Sequence, residues 1–460
     1  MDVQITLEDA ISKFEAAQQD FKTADEYYHA KPRDLAVGLA TPPQMRKLIA
    51  QVGVPRIYVN AVSERLAIEG FTVGDAADSD ELLWSWFKAN GLDNFSNVAF
   101  CEALVYGRSY ITIAAPMESD AENPLAIPDV PIIKVESPKT LYASIDPRTR
   151  GVEWAVRVVK NTDGDTVAAT LYTPDTTEYY ESEDGELKQV ETVNHGLGVV
   201  PVVPMVHVTD SADLYGTSLI TPEIRSVTDA ISRLLMNMQS TSELMANPQR
   251  YLFGTTTDEI TNGGQTSSLE LYAASFITVE DAAGKAQQLP AAELRNYTDG
   301  MTQLLKLASA YTGLPPQYFS TASDNPASAE AIRASESRLI RECEVMCAQF
   351  GSAWEQAMRI ALLVMGNKLT VDHFRLETMW RDPSTPTLQA KADAASKAYA
   401  GGNGVTPREQ ARIDMGYSPE QRRQMRIWDK EEPGAQLSGL YGGVTVDESS
   451  GDGEGTEGDN

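Results

Sequence analysis

The most constraining feature of the sequence is a pair of amphipathic helix patterns that enclose a short β-rich insert. Thr221-Pro222-Glu223 supplies a helix N-cap, a first-turn proline and a first-turn acid. The helix that follows ends at Asn247-Pro248 and has apolar residues at steps of three and four, at Ile224, Val227, Ile231, Leu234, Met238 and Met245. A second helix from Pro290 to Gly313-Leu314-Pro315-Pro316 repeats this spacing at Leu294, Tyr297, Met301, Leu304, Ala308 and Tyr311. Two such helices in one chain, joined by an exposed β insert, are awkward for a compact monomer.

Each of these helices also has a polar face. The candidate surface residues on the two helices are Arg225, Asp229, Arg233, Asn296, Asp299 and Gln303. Acidic and basic residues balance on both helices, so a passage lined by them would neither grip a polyanion nor strongly repel it. The insert holds strand candidates at Arg250–Phe253, Ser268–Tyr272 and Phe276–Val279.

The region before these helices is predicted to be a mixed α+β domain. Helical spacing covers Leu7–Tyr28, Gln44–Glu69 and the run around Leu82–Phe87. From Phe100 onward the pattern favours strands, with candidates at Ser109–Ala114, Ile132–Val135, Glu153–Val159, Thr166–Tyr172, Leu187–Val193 and Val199–Val208.

A third long helix is predicted from Ala329 to about Met365. Its apolar residues recur along one face, and at 1.5 Å per residue it would be about 50 Å long. A single amphipathic core helix is the simpler interpretation of this segment, and the sequence leaves it open. The chain continues with a strand candidate at Phe374–Trp380 and short helices at Leu388–Ala400, Pro407–Met415 and Pro419–Trp428. Residues 446–460, with six acids and no base, are predicted to be a disordered tail.

Bulk composition excludes several protein classes. With 460 residues and 42% hydrophobic residues, the chain can bury a large core and suggests two or three domains. The formal net charge of −28, from 38 basic and 66 acidic residues, disfavours tight sequence-specific DNA binding. Neither a signal peptide nor a membrane span is expected, so a cytosolic product is the default. The three cysteines, Cys101, Cys343 and Cys347, are predicted to be core thiols.

The sequence offers no convincing catalytic, cofactor-binding or metal site. The string nearest to a phosphate-binding loop, Gly284-Lys285-Ala286, lacks the upstream glycine and the following hydroxyl residue. Gly216-Thr217-Ser218 has the Gly-x-Ser spacing that begins a nucleophile elbow, but Ile220 stands where the second glycine is required. Four isolated histidines, at positions 29, 195, 207 and 373, form no ligand pair, and Cys343 and Cys347 continue an apolar helix face. We therefore expect no enzyme activity and no cofactor.

The order of several short strings resembles a known family. Leu104-Val105-Tyr106-Gly107-Arg108-Ser109-Tyr110 is followed by Val199-Val200-Pro201-Val202-Val203-Pro204 and by Gly216-Thr217-Ser218-Leu219-Ile220. Thr228-Asp229-Ala230 lies in the first helix of the pair, Thr312-Gly313-Leu314-Pro315 closes the second, and Asn325-Pro326-Ala327-Ser328-Ala329-Glu330-Ala331 leads into the long helix. Over residues 1 to about 430, this ordered set resembles the portal proteins of tailed bacteriophages, especially long-tailed phages of actinobacteria.

The resemblance implies an α+β portal fold with a defined division of the chain. Residues 1–215 would form the wing, 216–247 the first stem helix, 248–289 a small β clip and 290–313 the second stem helix. Residues 314–328 would form the tunnel loop, 329–386 the long helix and its return to the wing, 387–445 a helical crown-like part, and 446–460 the acidic tail. The tunnel-loop residues expected to face DNA are Ser320, Thr321, Ser323, Asp324, Asn325 and Ser328. An ordinary interhelix loop remains the alternative for that segment.

The resemblance also implies partners and a location. Portal subunits form a homo-oligomeric ring, usually twelvefold, at one capsid vertex of the virion, and they are made in the host cytoplasm. Double-stranded DNA passes through the ring non-specifically during packaging and ejection. The expected protein partners are the major capsid and scaffolding proteins, the terminase large subunit and a head-tail adaptor, with no membrane partner. The alternatives are another phage head or head-tail connector protein without a DNA channel, an unrelated helical scaffold, and an enzyme with an unrecognised pocket of converging titratable groups.

Overall fold

The chain is described by a computed structural model over residues 5–31, 51–76, 78–116, 129–183, 185–246, 250–254, 276–279, 283, 294–319, 329–384, 388–400 and 404–431. Two compact units make up the chain. The first comprises residues 1–76 and 80–384, and the second comprises residues 77–79 and 385–460.

Seven helices of eight or more residues lie in the described part of the first unit. They are α1 (Leu7–Tyr28), α2 (Val54–Ser63), α3 (Glu81–Ala89), α4 (Leu92–Tyr106), α5 (Pro222–Ala246), α6 (Leu294–Thr312) and α7 (Ala329–Val364). A capping side chain and a left-handed glycine determine where two of these helices begin or end. The Asp80 side chain accepts a hydrogen bond from Leu83 N at 2.9 Å and so caps α3, while Gly107 ends α4 in the left-handed conformation at φ +85°.

The described strands of the first unit form four small sheets. Their bounds are β1 (Ile68–Val73), β2 (Arg108–Ala114), β3 (Ile132–Glu136), β4 (Leu141–Ile145), β5 (Val152–Lys160), β6 (Thr166–Tyr172), β7 (Thr176–Glu183), β8 (Glu186–Asn194), β9 (Val202–Val206), β10 (Arg250–Phe253), β11 (Phe276–Val279) and β12 (Leu376–Trp380). Strands β4 to β8 form an antiparallel meander, and β2 lies between β3 and β9. The antiparallel pair β1–β12 joins segments far apart in sequence, and β10–β11 is parallel.

The main core gathers around α7. Phe350 and Trp354 are fully buried, and their rings contact Phe100 and Phe87 with centroids 5.7 and 5.3 Å apart. A smaller core lies under the five-stranded sheet, where Phe14 of α1 packs against Trp154, Val156, Val158 and Leu171. Because α1 places Phe14 in this smaller core and Phe21 in the main core, it joins the two cores.

The second unit contains three described helices, α8 (Leu388–Tyr399), α9 (Arg408–Asp414) and α10 (Pro419–Glu431). Arg422 of α10 is 1% exposed and lies 3.4 Å from carboxylate oxygens of both Asp78 and Glu409. A second pair joins Arg412 to Asp429 at 2.6 Å. Ion pairs among these short helices therefore supplement the small apolar core, in which Ala395 and Ala411 are buried.

Most of the predicted elements are present, and two predictions are wrong. The helix predicted to Glu69 ends at Ser63, and the following residues form β1, whose Phe71 is fully buried. The shift to strands predicted from Phe100 begins too early, since α4 continues to Tyr106. The strand predicted at 199–208 is shorter, at Val202–Val206, and the candidate Ser268–Tyr272 lies outside the described residues. Among the described residues, none of the helices combines the length and the apolar character needed to span a bilayer.

Candidate functional site

The two amphipathic helices pack against each other as an α5–α6 hairpin. A Cβ added at Gly300 would lie 3.2 Å from Leu234 Cδ2, so the absence of a side chain allows the two helices to approach closely. Further along the hairpin, Tyr297 Oη and Thr241 Oγ1 share a 3.1 Å hydrogen bond. Ile224, Val227 and Ile231 at the start of α5 are buried in the main core. The hairpin is thus anchored at the base of α5 and held together by apolar contacts along its length.

The candidate polar residues of the hairpin lie in two environments. Arg233, Asn296, Asp299 and Gln303 are exposed, whereas Arg225 and Asp229 are half-buried. Asp229 Oδ2 accepts a 2.6 Å hydrogen bond from Tyr27 Oη of α1. Four of the six candidates are therefore exposed to solvent, whereas Asp229 helps to hold α5 against α1.

The charges on the hairpin balance. The described helices hold four basic residues, Arg225, Arg233, Arg295 and Lys306, and four acidic residues, Glu223, Asp229, Glu243 and Asp299. The chain as a whole has a formal net charge of −28. A surface without net charge produces a weak field at a nearby polyanion, so it neither binds DNA tightly nor excludes it.

The base of the hairpin is fixed where two backbone segments cross. A Cβ at Gly216 would lie 2.1 Å from Gly107 O, and a Cβ at Gly107 would lie 2.6 Å from Gly216 O. Both glycines have positive φ, at +80° and +85°. Only glycine satisfies both requirements, so the end of α4 and the segment that leads into α5 meet at a contact no other residue type allows.

Hydrogen bonds lock this crossing. His207 N donates to Gly107 O at 2.8 Å, and Thr217 N donates to His207 O at 3.0 Å. Ser218 Oγ donates to Val105 O at 2.6 Å, and Leu219 N donates to Leu104 O at 2.8 Å. The hydroxyl of Ser218 is thus engaged in holding α5 to α4, a structural role. The strings around Gly107 and Gly216 both belong to the ordered set that resembles the portal family, but nothing in their spacing predicts that the two glycines touch.

A buried carboxylate, Asp25, joins α1 to α4 and to the connection between β3 and β4. Asp25 accepts hydrogen bonds from Tyr106 Oη at 2.7 Å and from the ammonium groups of Lys31 and Lys139. Burial alone would raise the pKa of Asp25, but the hydrogen bonds from Lys139, Lys31 and Tyr106 outweigh it and hold this pKa well below its usual range. Asp25 therefore stays ionised and holds α1, α4 and the β3–β4 connection together.

The six candidate tunnel-loop residues, Ser320, Thr321, Ser323, Asp324, Asn325 and Ser328, lie outside the described residues. The chain on either side of them is described, from the 3₁₀ turn Pro316–Tyr318 to the helix α7.

One cleft of the first unit bears on the enzyme alternative. It has a volume of about 690 Å³ and lies between the three-stranded and five-stranded sheets beside the end of α7. Its charged residues include Glu136 and Arg157, which pair with each other at 2.9 Å, and burial lowers the pKa of His195 at its edge. Within the described ranges, no group of three or more His, Cys, Asp or Glu side chains is arranged to hold a metal ion.

Comparison with known proteins gives consistent matches. The family model described as "Phage portal protein, SPP1 Gp6-like" matches residues 8–414. The portal protein of Mycobacterium phage L5 is 51% identical over 446 residues, which cover 96% of this chain and 91% of the relative. The portal protein of Mycobacterium phage D29 is 50% identical over the same length and coverage.

Similar solved structures are more distant. A chain of the virion of a native gene transfer agent (GTA) particle is 12% identical, with a TM-score of 0.40, and the match covers 86% of this chain and 93% of that chain. A chain from the neck of the native GTA particle, computed with C12 symmetry, is 13% identical with a TM-score of 0.39, covering 87% and 99% of the two chains.

Proposed function

Because this chain belongs to the SPP1 Gp6-like family of phage portal proteins, we propose that it forms a closed ring at one capsid vertex, with the α5–α6 hairpin lining the channel. Phage portal proteins are structural subunits, and DNA enters and leaves the capsid through them. The prediction of a portal protein made from the sequence is confirmed by the family match and by the two relatives.

One observation supports the assignment of the channel. The α5–α6 hairpin is apolar where its helices meet and where α5 enters the core, yet it leaves Arg233, Asn296, Asp299 and Gln303 exposed. The hairpin has as many basic as acidic residues in a chain with a formal net charge of −28. A moving polyanion needs this combination of a polar lining and little net charge, because strong attraction would stall it.

The remaining segments are assigned by the same proposal. Residues 1–215 form the wing, 248–289 the clip, 314–328 the tunnel loop that contacts DNA, and 387–445 the crown-like part. Helix α7 returns the chain from the tunnel loop to the wing. This division is supported by the positions of α5, α6 and α7 in the chain and by the core contacts of α7 with the N-terminal elements.

The proposed partners follow from the position of the ring. The ring contains about twelve subunits joined by a repeated head-to-tail interface, as ring closure requires. Its outer surface contacts the major capsid and scaffolding proteins, and its ends dock the terminase large subunit and a head-tail adaptor. The protein is made in the host cytoplasm and becomes part of the virion.

A DNA-protection experiment tests the channel assignment. Gln303→Cys places a thiol on the exposed face of α6, and Lys188→Cys places a matched thiol on the exposed strand β8, where the lysine side chain is 56% exposed. Native thiols contribute little background, because Cys343 and Cys347 are buried and Cys101 is only partly exposed. Maleimide labelling is measured in phage particles before and after DNA ejection.

We expect labelling of Gln303→Cys to be severalfold slower in DNA-filled particles than in emptied ones, and labelling of Lys188→Cys to be equal in both. Equal labelling of Gln303→Cys in the two states, with normal incorporation of the variant, would remove α6 from the channel wall. A connector protein without a DNA channel would also give that result.

A further inference from the structure

The guanidinium of Arg65 joins three other segments of the first unit. Arg65 follows α2, and its side chain is 12% exposed. Its Nη1 donates to Pro383 O at 2.8 Å, and its Nη2 donates to Tyr318 Oη at 3.0 Å and lies 3.1 Å from Glu336 Oε1. One side chain thus connects the end of α2, the turn after α6, the first half of α7 and the chain that follows β12.

Tyr318 and Glu336 complete the cluster. Tyr318 Oη donates to Glu336 Oε1 at 3.0 Å and accepts a hydrogen bond from Arg65. Each of the three polar groups therefore contacts the other two. The Glu336 side chain is 13% exposed, and burial raises the pKa of Tyr318, so its hydroxyl remains protonated and able to donate. We call Arg65, Tyr318 and Glu336 the base cluster.

The base cluster holds two points of the chain that lie on either side of the proposed tunnel loop. Tyr318 is the last residue of the 3₁₀ turn Pro316–Tyr318, and Glu336 lies in α7. A second contact supports the same junction. Arg338 Nη1 donates to Ala310 O at 3.2 Å near the end of α6, and a Cβ at Gly313 would lie 2.8 Å from Arg338 Nε.

The polar contacts of the base cluster fix the relative positions of the joined segments more than they raise the free energy of unfolding. Burying an ion pair costs desolvation, and apolar side chains of similar size often stabilise a core equally well. A guanidinium instead directs its donors along fixed directions, which sets the distances between the segments that it joins. The base cluster therefore defines one arrangement of α2, α6 and α7 more narrowly than apolar packing would.

We propose that Arg65, Tyr318 and Glu336 are positioning residues for the DNA-contacting segment Ser320–Ser328. They fix the separation and direction of the two chain ends that enter and leave this segment. The inference rests on the proposed function, because that proposal assigns the segment to DNA. The base cluster does not itself contact DNA; it acts through the backbone at Tyr318 and Glu336.

Conservative variants test the role of the base cluster. Tyr318→Phe removes only the hydroxyl, and Glu336→Gln removes the charge while it keeps the size of the side chain. Gln317→Ala is the matched control, since Gln317 is exposed, adjacent in sequence, and makes only a 3.5 Å contact with Ser335 Oγ among the contacts described. Ring yield, amide hydrogen exchange of residues 314–319 and packaged DNA per assembled ring are measured for each variant.

We expect both base-cluster variants to form rings in normal yield, to exchange amides at 314–319 about tenfold faster, and to package severalfold less DNA per ring. Gln317→Ala should match the wild type in all three measurements. Faster exchange with unchanged packaging would overturn the inference, because it would show a purely structural cluster. Unchanged exchange and packaging in both variants would overturn it as well.

A deletion separates this inference from the proposed function. Rings that lack residues 320–328 and still package DNA normally would overturn the tunnel-loop assignment, and the inference with it. Rings that fail to package after this deletion, combined with normal packaging by Tyr318→Phe and Glu336→Gln, would overturn the positioning role alone.

Discussion

Gly107 and Gly216 determine how closely the start of α5 approaches the end of α4. Gly216→Ala would place a Cβ 2.1 Å from Gly107 O while φ is +80°, so it combines a backbone clash with an unfavourable conformation. We expect the free energy of unfolding to fall by about 3 kcal/mol or more. Gly164→Ala is the control, with φ +95° and no atom within 4 Å of the added Cβ, and it should cost only about 1–2 kcal/mol. Equal losses in urea unfolding would contradict the importance of the crossing.

His207 makes the same crossing sensitive to pH. Its ring Nδ1 lies 2.6 Å from Thr217 O, and burial lowers the pKa of His207 despite that contact. A lowered histidine pKa means that the unfolded chain binds a proton more readily than the folded chain. The stability contribution is therefore present above the unfolded pKa of about 6.5 and is lost as pH falls below it.

We expect the wild type to lose stability relative to His207→Asn as pH falls from about 7.5 to about 5.5, since asparagine retains a donor and does not titrate. The measurement is the difference in free energy of unfolding between the two proteins at each pH. The contributions of all other titrating groups cancel in this difference, because both proteins contain them. A constant difference across this range would show that His207 does not titrate on unfolding.

At the scale of elements, the α5–α6 hairpin depends on the absence of a side chain at Gly300. Gly300→Leu should push α6 away from Leu234, which a Cβ alone would approach to 3.2 Å. Thr302→Leu adds the same side chain to the exposed face of α6. We expect Gly300→Leu to be less stable than Thr302→Leu by about 1–3 kcal/mol in urea unfolding. Equal stability of the two variants would show that the helices are not tightly packed at Gly300.

The sequence predicted the elements whose apolar residues lie on one face. Helices α5, α6 and α7 follow the three-four spacing, and the strands predicted at 132–135, 153–159, 166–172 and 187–193 lie within β3, β5, β6 and β8. The pattern of α4 does not separate an apolar from a polar face, so the helix was not predicted. Its second half is buried at Phe100, Leu104 and Val105, while Phe95 and Val98 of its first half are exposed. Strand β1 was read as helix because its partner β12 is remote in sequence, and local patterns do not report such pairing.

The candidate site was also predictable only in part, because local sequence patterns do not report contacts between residues distant in sequence. The exposed positions of Arg233, Asn296, Asp299 and Gln303 follow from helical periodicity. The contact of Asp229 with Tyr27, the Gly107–Gly216 crossing and the base cluster all join residues distant in sequence. Their residue types gave no signal of pairing, because isolated Gly, Tyr and Arg residues occur in many structural contexts.

At the scale of the whole molecule, the acidic tail is expected to be dispensable for assembly. Residues 446–460 hold six acids, no base and few apolar residues, so they offer little surface to bury in an interface. A chain truncated after residue 445 should give rings of the same subunit number in the same yield by native mass spectrometry. A truncated chain that stays monomeric where the full chain assembles would show that the tail is structural.

Cryo-electron microscopy of the purified protein tests whether this portal protein forms a ring with α5 and α6 at its channel. We expect a closed ring of about twelve subunits related by one head-to-tail interface, with Arg233, Asn296, Asp299 and Gln303 facing the central hole. A compact twofold dimer, or a ring with the α5–α6 hairpin on its outer surface, would contradict it.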